Sequence, residues 1–258
     1  MLKKMSTIIL LLLLTSVSRI FTDESFGFEG EISFSKPYMF VSLGHNCHLA
    51  QATRFPAMNN ECDLNDIEEE MNKPRSYGLR DAAFPFDWLI TVNVEKLVLC
   101  LDEHFERFSD ESCFFREGDL SDVTNVRYDC KFTHDWPFHY GPVSPELHSA
   151  HIAHINQKYA RRIARFESLK SYKGKMFFMR SFASDLDYQN DSALKLRDAL
   201  RRFFPNLNFT LVIVNWTGNS IFKAGLITDV KEYFLSGLTN FGDYDVIFND
   251  LLKEEQRG

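Results

Sequence analysis

Cys47 closes the run Tyr38-Met-Phe-Val-Ser-Leu-Gly-His-Asn-Cys47, an apolar stretch that ends in a glycine and is followed by His48-Leu-Ala-Gln-Ala-Thr-Arg54, which is rich in helix formers. The pattern predicts a buried strand, a tight turn at Gly44 and a helix that begins at the cysteine. Unpaired backbone N–H groups and the positive end of a helix dipole would stabilise a thiolate there and make Cys47 a nucleophile near neutral pH. The plainer alternative is a small buried cysteine beside a turn. A cysteine nucleophile needs an imidazole within hydrogen-bond reach, itself oriented by an amide or carboxylate. His134 is the first candidate, because it closes a predicted strand and is flanked by Asp135, Trp136 and Pro137; His45 and His48 are alternatives. Asn215, Asp87 and Asp185 are candidates for the orienting group, and the backbone N–H groups around Asn46 and Cys47 for an oxyanion hole.

A second set of residues points elsewhere. Arg180 leaves an apolar strand at the edge where parallel sheets bind ligands, and Lys158, Arg161, Arg162 and Arg165 cluster on one predicted helix. Guanidinium forks suit phosphate oxygens, so Arg180 and Arg161 could hold an anionic group. That supports a rival function, a sugar-nucleotide or phosphate-binding transferase or binding module in which Cys47 is structural. His148, His151 and His154 have a spacing that could bind zinc with a carboxylate, but they lack the helix Glu of the metallopeptidase motif, and no metal or other cofactor is expected. A Ser42 hydrolase is disfavoured because no histidine follows His154.

The elements that must position these groups read as follows. After the first strand, 56–80 is a polar, acidic excursion, and an aromatic turn at 82–90 leads into a helix from Asn93 with Leu97, Leu101, Phe105 and Phe108 on one face. Residues 126–132 alternate as a half-buried strand, and 144–170 form a helix with Ile152, Ile155, Tyr159, Ile163 and Phe166 on one face. Then come a strand at 175–180, a helix at 191–204, a buried strand at 209–215 and a short last strand at 244–248. Strand, helix and strand in so short a span are the mark of a parallel crossover. The expected fold is therefore a single α/β domain with a mainly parallel sheet flanked by helices on both faces.

Lys3 and Lys4, the apolar run 7–17 and the small residues Ser16 and Ser18 read as a signal peptide over 1–18, followed by a linker over 19–37 and the domain over 38–258. The expected location is secreted or periplasmic, with no membrane contact after cleavage. A net charge of −7 argues against nucleic acid as a partner. The 25 phenylalanines predict an aromatic core. Five cysteines are an odd number for an exported chain; Cys100 belongs to a helix face, and Cys62, Cys113 and Cys130 could pair among themselves.

Five ordered motifs, Val41-Ser-Leu-Gly-His-Asn-Cys47, Phe84-Pro-Phe-Asp-Trp-Leu-Ile90, Phe132-Thr-His-Asp-Trp136, Lys158-Tyr-Ala-Arg-Arg-Ile-Ala-Arg-Phe166 and Met176-Phe-Phe-Met-Arg180, carry a resemblance. By them the chain resembles an uncharacterised, largely bacterial family described as putative papain-like cysteine peptidases. The resemblance implies a thiol-dependent hydrolase of amide or ester bonds, with Cys47 as nucleophile and His134 as its base. Asn215, followed by Trp216, looks like the Asn before an aromatic residue in papain-type triads. The implied substrate is a peptide, an ester or an anionic small molecule.

Overall fold

The structure, a computed structural model, describes residues 37–45, 84–87, 89–91, 93–116, 123–132, 145–182, 191–216, 229–235 and 241–256. Four strands form a parallel sheet: β1 (Tyr38–Ser42), β6 (Lys175–Phe182), β7 (Phe209–Asn215) and β8 (Val230–Phe234), in that spatial order. A smaller antiparallel sheet is built from β2 (Ile90–Thr91), β3 (Phe114–Arg116), β4 (Val123–Asn125) and β5 (Cys130–Lys131), ordered β2-β5-β4-β3. Four helices complete the described fold: α1 (Val94–Asp102), α2 (Pro145–Ser168), α3 (Ser192–Phe203) and α4 (Phe241–Glu255). None is long and apolar enough to cross a membrane.

Spatial order in the parallel sheet follows chain order, so each connection steps in the same direction. Crossovers of one hand that step one way deposit their helices on one face. That is where α1, α2 and α3 lie: their apolar residues share a core with Met39, Val41, Met176, Phe178, Leu211 and Ile213 and with the antiparallel sheet. The alternate strand residues Phe40, Phe177, Met179, Val212 and Val214 point the other way and are covered by Tyr244, Ile247, Phe248 and Leu251 of α4. The expected α/β architecture is thus observed, with both faces covered. The core is aromatic as its composition predicts, with Phe166 ringed by Phe84, Phe86, Phe105, Phe178, Phe203 and Phe204.

Local chemistry explains where the sequence reading fails. The strand expected at 126–132 is largely a turn. Asn125 Oδ1 accepts the backbone N–H groups of Arg127 and Tyr128, which competes with the ladder, and Asp129 adopts a positive φ of 51°. Only Cys130 and Lys131 remain as strand. Asn93 caps α1 as expected, its Oδ1 accepting from the N–H groups of Glu95 and Lys96 at 2.9 and 3.3 Å. The helix nevertheless stops at Asp102, because His104 and Phe105 turn to φ of 50° and 61° and Phe105 N–H reaches back to Cys100 O at 3.0 Å. Phe105 and Phe108 stay in the core from this turn rather than from a helix. The strand expected at 244–248 is part of α4; Tyr244, Ile247, Phe248 and Leu251 mark one face of a helix, and the shorter window hid that period. Among the described cysteines, Cys100, Cys113 and Cys130 are all free thiols, so Cys113 and Cys130 do not pair with each other.

Candidate functional site at the carboxyl edge of the parallel sheet

β1 ends at Ser42, and the chain then makes a turn through Leu43, Gly44 and His45. Gly44 has φ of +79° and His45 of +88°, two left-handed residues in succession. Such a conformation persists for a histidine only where the surroundings over-determine it. Here they do. Leu43 N–H donates to Met179 O at 2.8 Å, Gly44 N–H to Ser42 Oγ at 3.1 Å and His45 N–H to Thr91 Oγ1 at 3.0 Å, while Thr91 N–H donates back to His45 O at 3.3 Å. A Cβ on Gly44 would lie 2.7 Å from Thr91 Oγ1 and 3.0 Å from Phe86 O, so only glycine fits both the φ and the space.

Arg180 ties this turn to the antiparallel sheet. It is fully buried on β6, yet its charged head is solvated by protein: Nη1 donates to Leu43 O at 3.1 Å and to Thr91 Oγ1, and Nη2 donates to Thr91 O. A buried guanidinium is tolerable only when oxygens receive its protons in this way. These bonds tie Arg180 of β6 to the exit of β1 and to β2.

Strand register brings further polar groups to the same face and edge. Arg180 is opposite Ile213, Ile213 is opposite Glu232, and Asn215 lies two residues beyond Ile213 on β7. Since alternate residues share a face, Arg180, Asn215 and Glu232 all project toward the α1–α3 side. Asn215 is fully buried, and its Nδ2 donates to Glu232 Oε1 at 2.6 Å. The next residue, Trp216, meets the His45 ring edge-on at 5.9 Å, so the exits of β1 and β7 adjoin at this edge. Glu232 was not legible in the sequence, because β8 is a short, half-exposed strand whose Lys231-Glu232 pair reads as loop.

Asp87 is buried in the aromatic turn, with Oδ2 accepting the Phe84 N–H at 2.6 Å, a bond that closes its own turn. On α2, Lys158 and Arg162 are buried rather than solvated, with the Arg162 guanidinium 5.0 Å from the Tyr159 ring centre, and Arg161 is half-buried. Asn46, Cys47, His48, His134 and Asp185 lie outside the described residues, as do the side chains of His148, His151 and His154. Among the described residues no group of His, Cys, Asp and Glu could hold a metal ion. Of the described thiols, Cys100 and Cys130 are buried, and desolvation pushes both well above the ordinary thiol range, which disfavours the thiolate.

A parallel sheet whose carboxyl edge gathers a strained turn, a buried guanidinium clamp and an amide–carboxylate pair defines an α/β protein, and the carboxyl edge is where open sheets in general bind their ligands. Residues 71–219, more than half of the chain, match the family described as "Putative papain-like cysteine peptidase (DUF1796)". The chain belongs to this family. The matched span contains Asp87, His134, Arg161, Arg180 and Asn215, while Asn46, Cys47 and Glu232 lie outside it. The chain is also similar to an uncharacterized protein of Acanthamoeba polyphaga mimivirus, 23% identical over 207 residues that cover 72% of this chain and 82% of that protein. No solved structure matches it.

Proposed function

We propose that the protein is an exported thiol-dependent hydrolase of amide or ester bonds, with Cys47 as nucleophile, His134 as general base and acid, and Asn215 as the group that orients the imidazole. The observation that carries this reading is the clamped turn Leu43-Gly44-His45, two strained residues held by Arg180 and Thr91 immediately before Asn46 and Cys47. Strain of this kind clusters at reactive sites because it fixes the direction of the chain that follows. The adjoining exit of β7, with Trp216 against His45, supports Asn215 as the third member. Asp87 is the weaker choice, since its carboxylate already closes its own turn.

In the reaction, the Cys47 thiolate adds to the substrate carbonyl, and N–H groups around Asn46 and Cys47 receive the oxyanion. His134, protonated by the thiol, returns the proton to the leaving amine or alcohol as the thioester forms. Water, deprotonated by the same imidazole, then releases the acid and restores the thiol. Arg180 acts by shaping the turn rather than by touching substrate. The engagement of Arg180 with Leu43 and Thr91 speaks against its part in the phosphate-binding alternative. The apolar run behind Lys3 and Lys4 supports a leader over 1–18, a linker over 19–37 and a single domain over 38–258 that acts outside the cytoplasm.

Labelling by iodoacetamide across pH, read by peptide mass spectrometry, tests the assignment. Cys47 should react fastest of the five cysteines, with an apparent pKa below the free-thiol value of about 8.5. His134→Ala should slow it without unfolding the chain. A Cys47 no faster than Cys113, together with a thermal shift induced by phosphate that survives Cys47→Ser, would overturn the hydrolase in favour of an anion binder.

A further inference from the structure

α4 lies along one face of the parallel sheet, and its two halves are held there differently. Its last turns sit at the amino edge, where Glu255 pairs with Lys175 of β6 at 3.6 Å, Glu254 pairs with Lys231 of β8, and the Tyr233 hydroxyl donates to Asp250 at 2.7 Å. The helix therefore runs antiparallel to the strands, and its first turns lie over the carboxyl edge. There Tyr244, Ile247 and Phe248 supply apolar contact, but Asp245 Oδ1 is shut away from solvent with no hydrogen-bond partner. Phe248 meets Phe40 of β1 edge-on at 4.8 Å, whereas Asp250 reaches β8. Asp245, three residues before Phe248, is thus on the β1 flank of the helix and one turn nearer the exit of β1. Ser181 is its counterpart on the sheet: it alternates with Phe177 and Met179 toward α4, is fully buried, and its Oγ has no hydrogen-bond partner either.

We propose that α4 is a hinged cover of this face: its carboxyl-terminal half is the fixed anchor, and its amino-terminal half lifts from the carboxyl edge of the sheet when Asp245 is ionised. The inference stands apart from the thiol-hydrolase reading. Burying an oxygen of a carboxylate without a donor is costly, and either protonation or rehydration relieves the cost. Burial accordingly pushes the Asp245 carboxyl above its ordinary value of 3.8. The titratable groups that face α4 are Tyr38 on β1, Lys175 on β6, and Lys231 and Tyr233 on β8, with His45 beyond the end of β1 against Trp216. β7 presents only Val212, Val214 and Trp216. On the described part of the helix they are Tyr244, Asp250, Lys253, Glu254 and Glu255. Both sheet lysines are engaged with the last turns, at the far end from Asp245. The seated form therefore holds the Asp245 proton more tightly than the lifted form, and raising the pH through the carboxylate range favours lifting. Ser181 pulls the same way, because its hydroxyl gains water when the cover lifts. The lifted half would open the α4 side of the carboxyl edge, beside the turn at Gly44 and His45, to solvent and small molecules.

Hydrogen exchange of the full chain, read by mass spectrometry on peptides from each half of α4 and corrected for intrinsic rates, tests this. At pH 7, Asp245→Asn should slow exchange over 241–248 and leave 249–255 unchanged. The slowing should be roughly tenfold for a carboxyl that titrates one pH unit higher when seated. At pH 3 the variant and the wild type should exchange alike, because the carboxyl is then protonated in both forms. Asp245→Ala should behave as the Asn variant does, which separates loss of the charge from any bond made by the new amide, and both variants separate Asp245 from His45. Equal exchange of wild type and Asp245→Asn at pH 7, or a difference that persists at pH 3, would overturn the proposal. Slowing spread evenly over both halves would overturn it too, since α4 would then open as one body.

Discussion

The two faces of the parallel sheet are built to different rules. Toward α4, Phe40, Phe177, Met179, Val212 and Val214 make an apolar layer against Phe248 and its neighbours, with Phe40 stacked on Phe177 at 4.9 Å. Toward α1–α3 the same strands mix Val41, Phe178 and Ile213 with Arg180 and Asn215, and the polar members fall at the carboxyl edge. One face stabilises by area; the other also specifies direction, because every guanidinium and amide proton must meet a particular oxygen. Stability and site geometry should therefore be separable by mutation.

The largest effect is expected on the apolar face. Phe248→Ala should cost about 3–5 kcal/mol in urea unfolding, the range for emptying a buried phenylalanine, and leave the pH profile of Cys47 labelling unchanged. Arg180→Met should cost about 3 kcal/mol, since Leu43 O, Thr91 O and Thr91 Oγ1 each lose a charged donor, and it should also slow labelling. If Phe248→Ala altered labelling as much as Arg180→Met, the division between the faces would not hold. Gly44→Ala should cost about 1–3 kcal/mol, from a positive φ and a Cβ driven against Thr91 and Phe86. Its effect on labelling should exceed its effect on melting temperature in proportion.

The smallest effect lies away from both faces. Hydrogen bonds from Arg127 and Tyr128 hold the Glu103 carboxyl down to about 2, against an ordinary value of 4.5. A carboxylate depressed in the fold adds stability above its unfolded pKa and loses it as pH falls through the folded one. Acid unfolding followed between pH 4.5 and 2 should thus be less steep in Glu103→Gln, with no change at pH 7 in Cys47 labelling.

How much of this was legible depended on how each residue signals its neighbours. Strands at Tyr38–Ser42, Lys175–Phe182 and Phe209–Asn215 announce themselves as buried apolar runs, and Pro205 and Asn93 mark helix ends, so the parallel sheet and its crossovers could be read directly. β2 through β5 could not. They are two or three residues long, and their pairing depends on partners distant in sequence and on the Asn125 turn. The importance of Arg180 was legible as an arginine at a strand end, but its partners were not, because nothing in the sequence links it to Thr91. Glu232 was hidden for the complementary reason: its strand is an edge, half wet, and carries no apolar period.

The Arg180–Leu43 bond joins residues 137 positions apart, and the strand pairing beside it spans the same gap. Closing so large a loop costs only a little more entropy than closing a shorter one, about 0.6 kcal/mol per doubling, but contacts of this separation form late in folding. During synthesis the segment that leads to Cys47 emerges first and waits for β6. It has neither its parallel partner nor its clamp until residue 180 has left the ribosome. The shape of that turn is therefore a property of the finished chain, and any chemistry that depends on it is timed by translation and collapse rather than by the local sequence around the thiol.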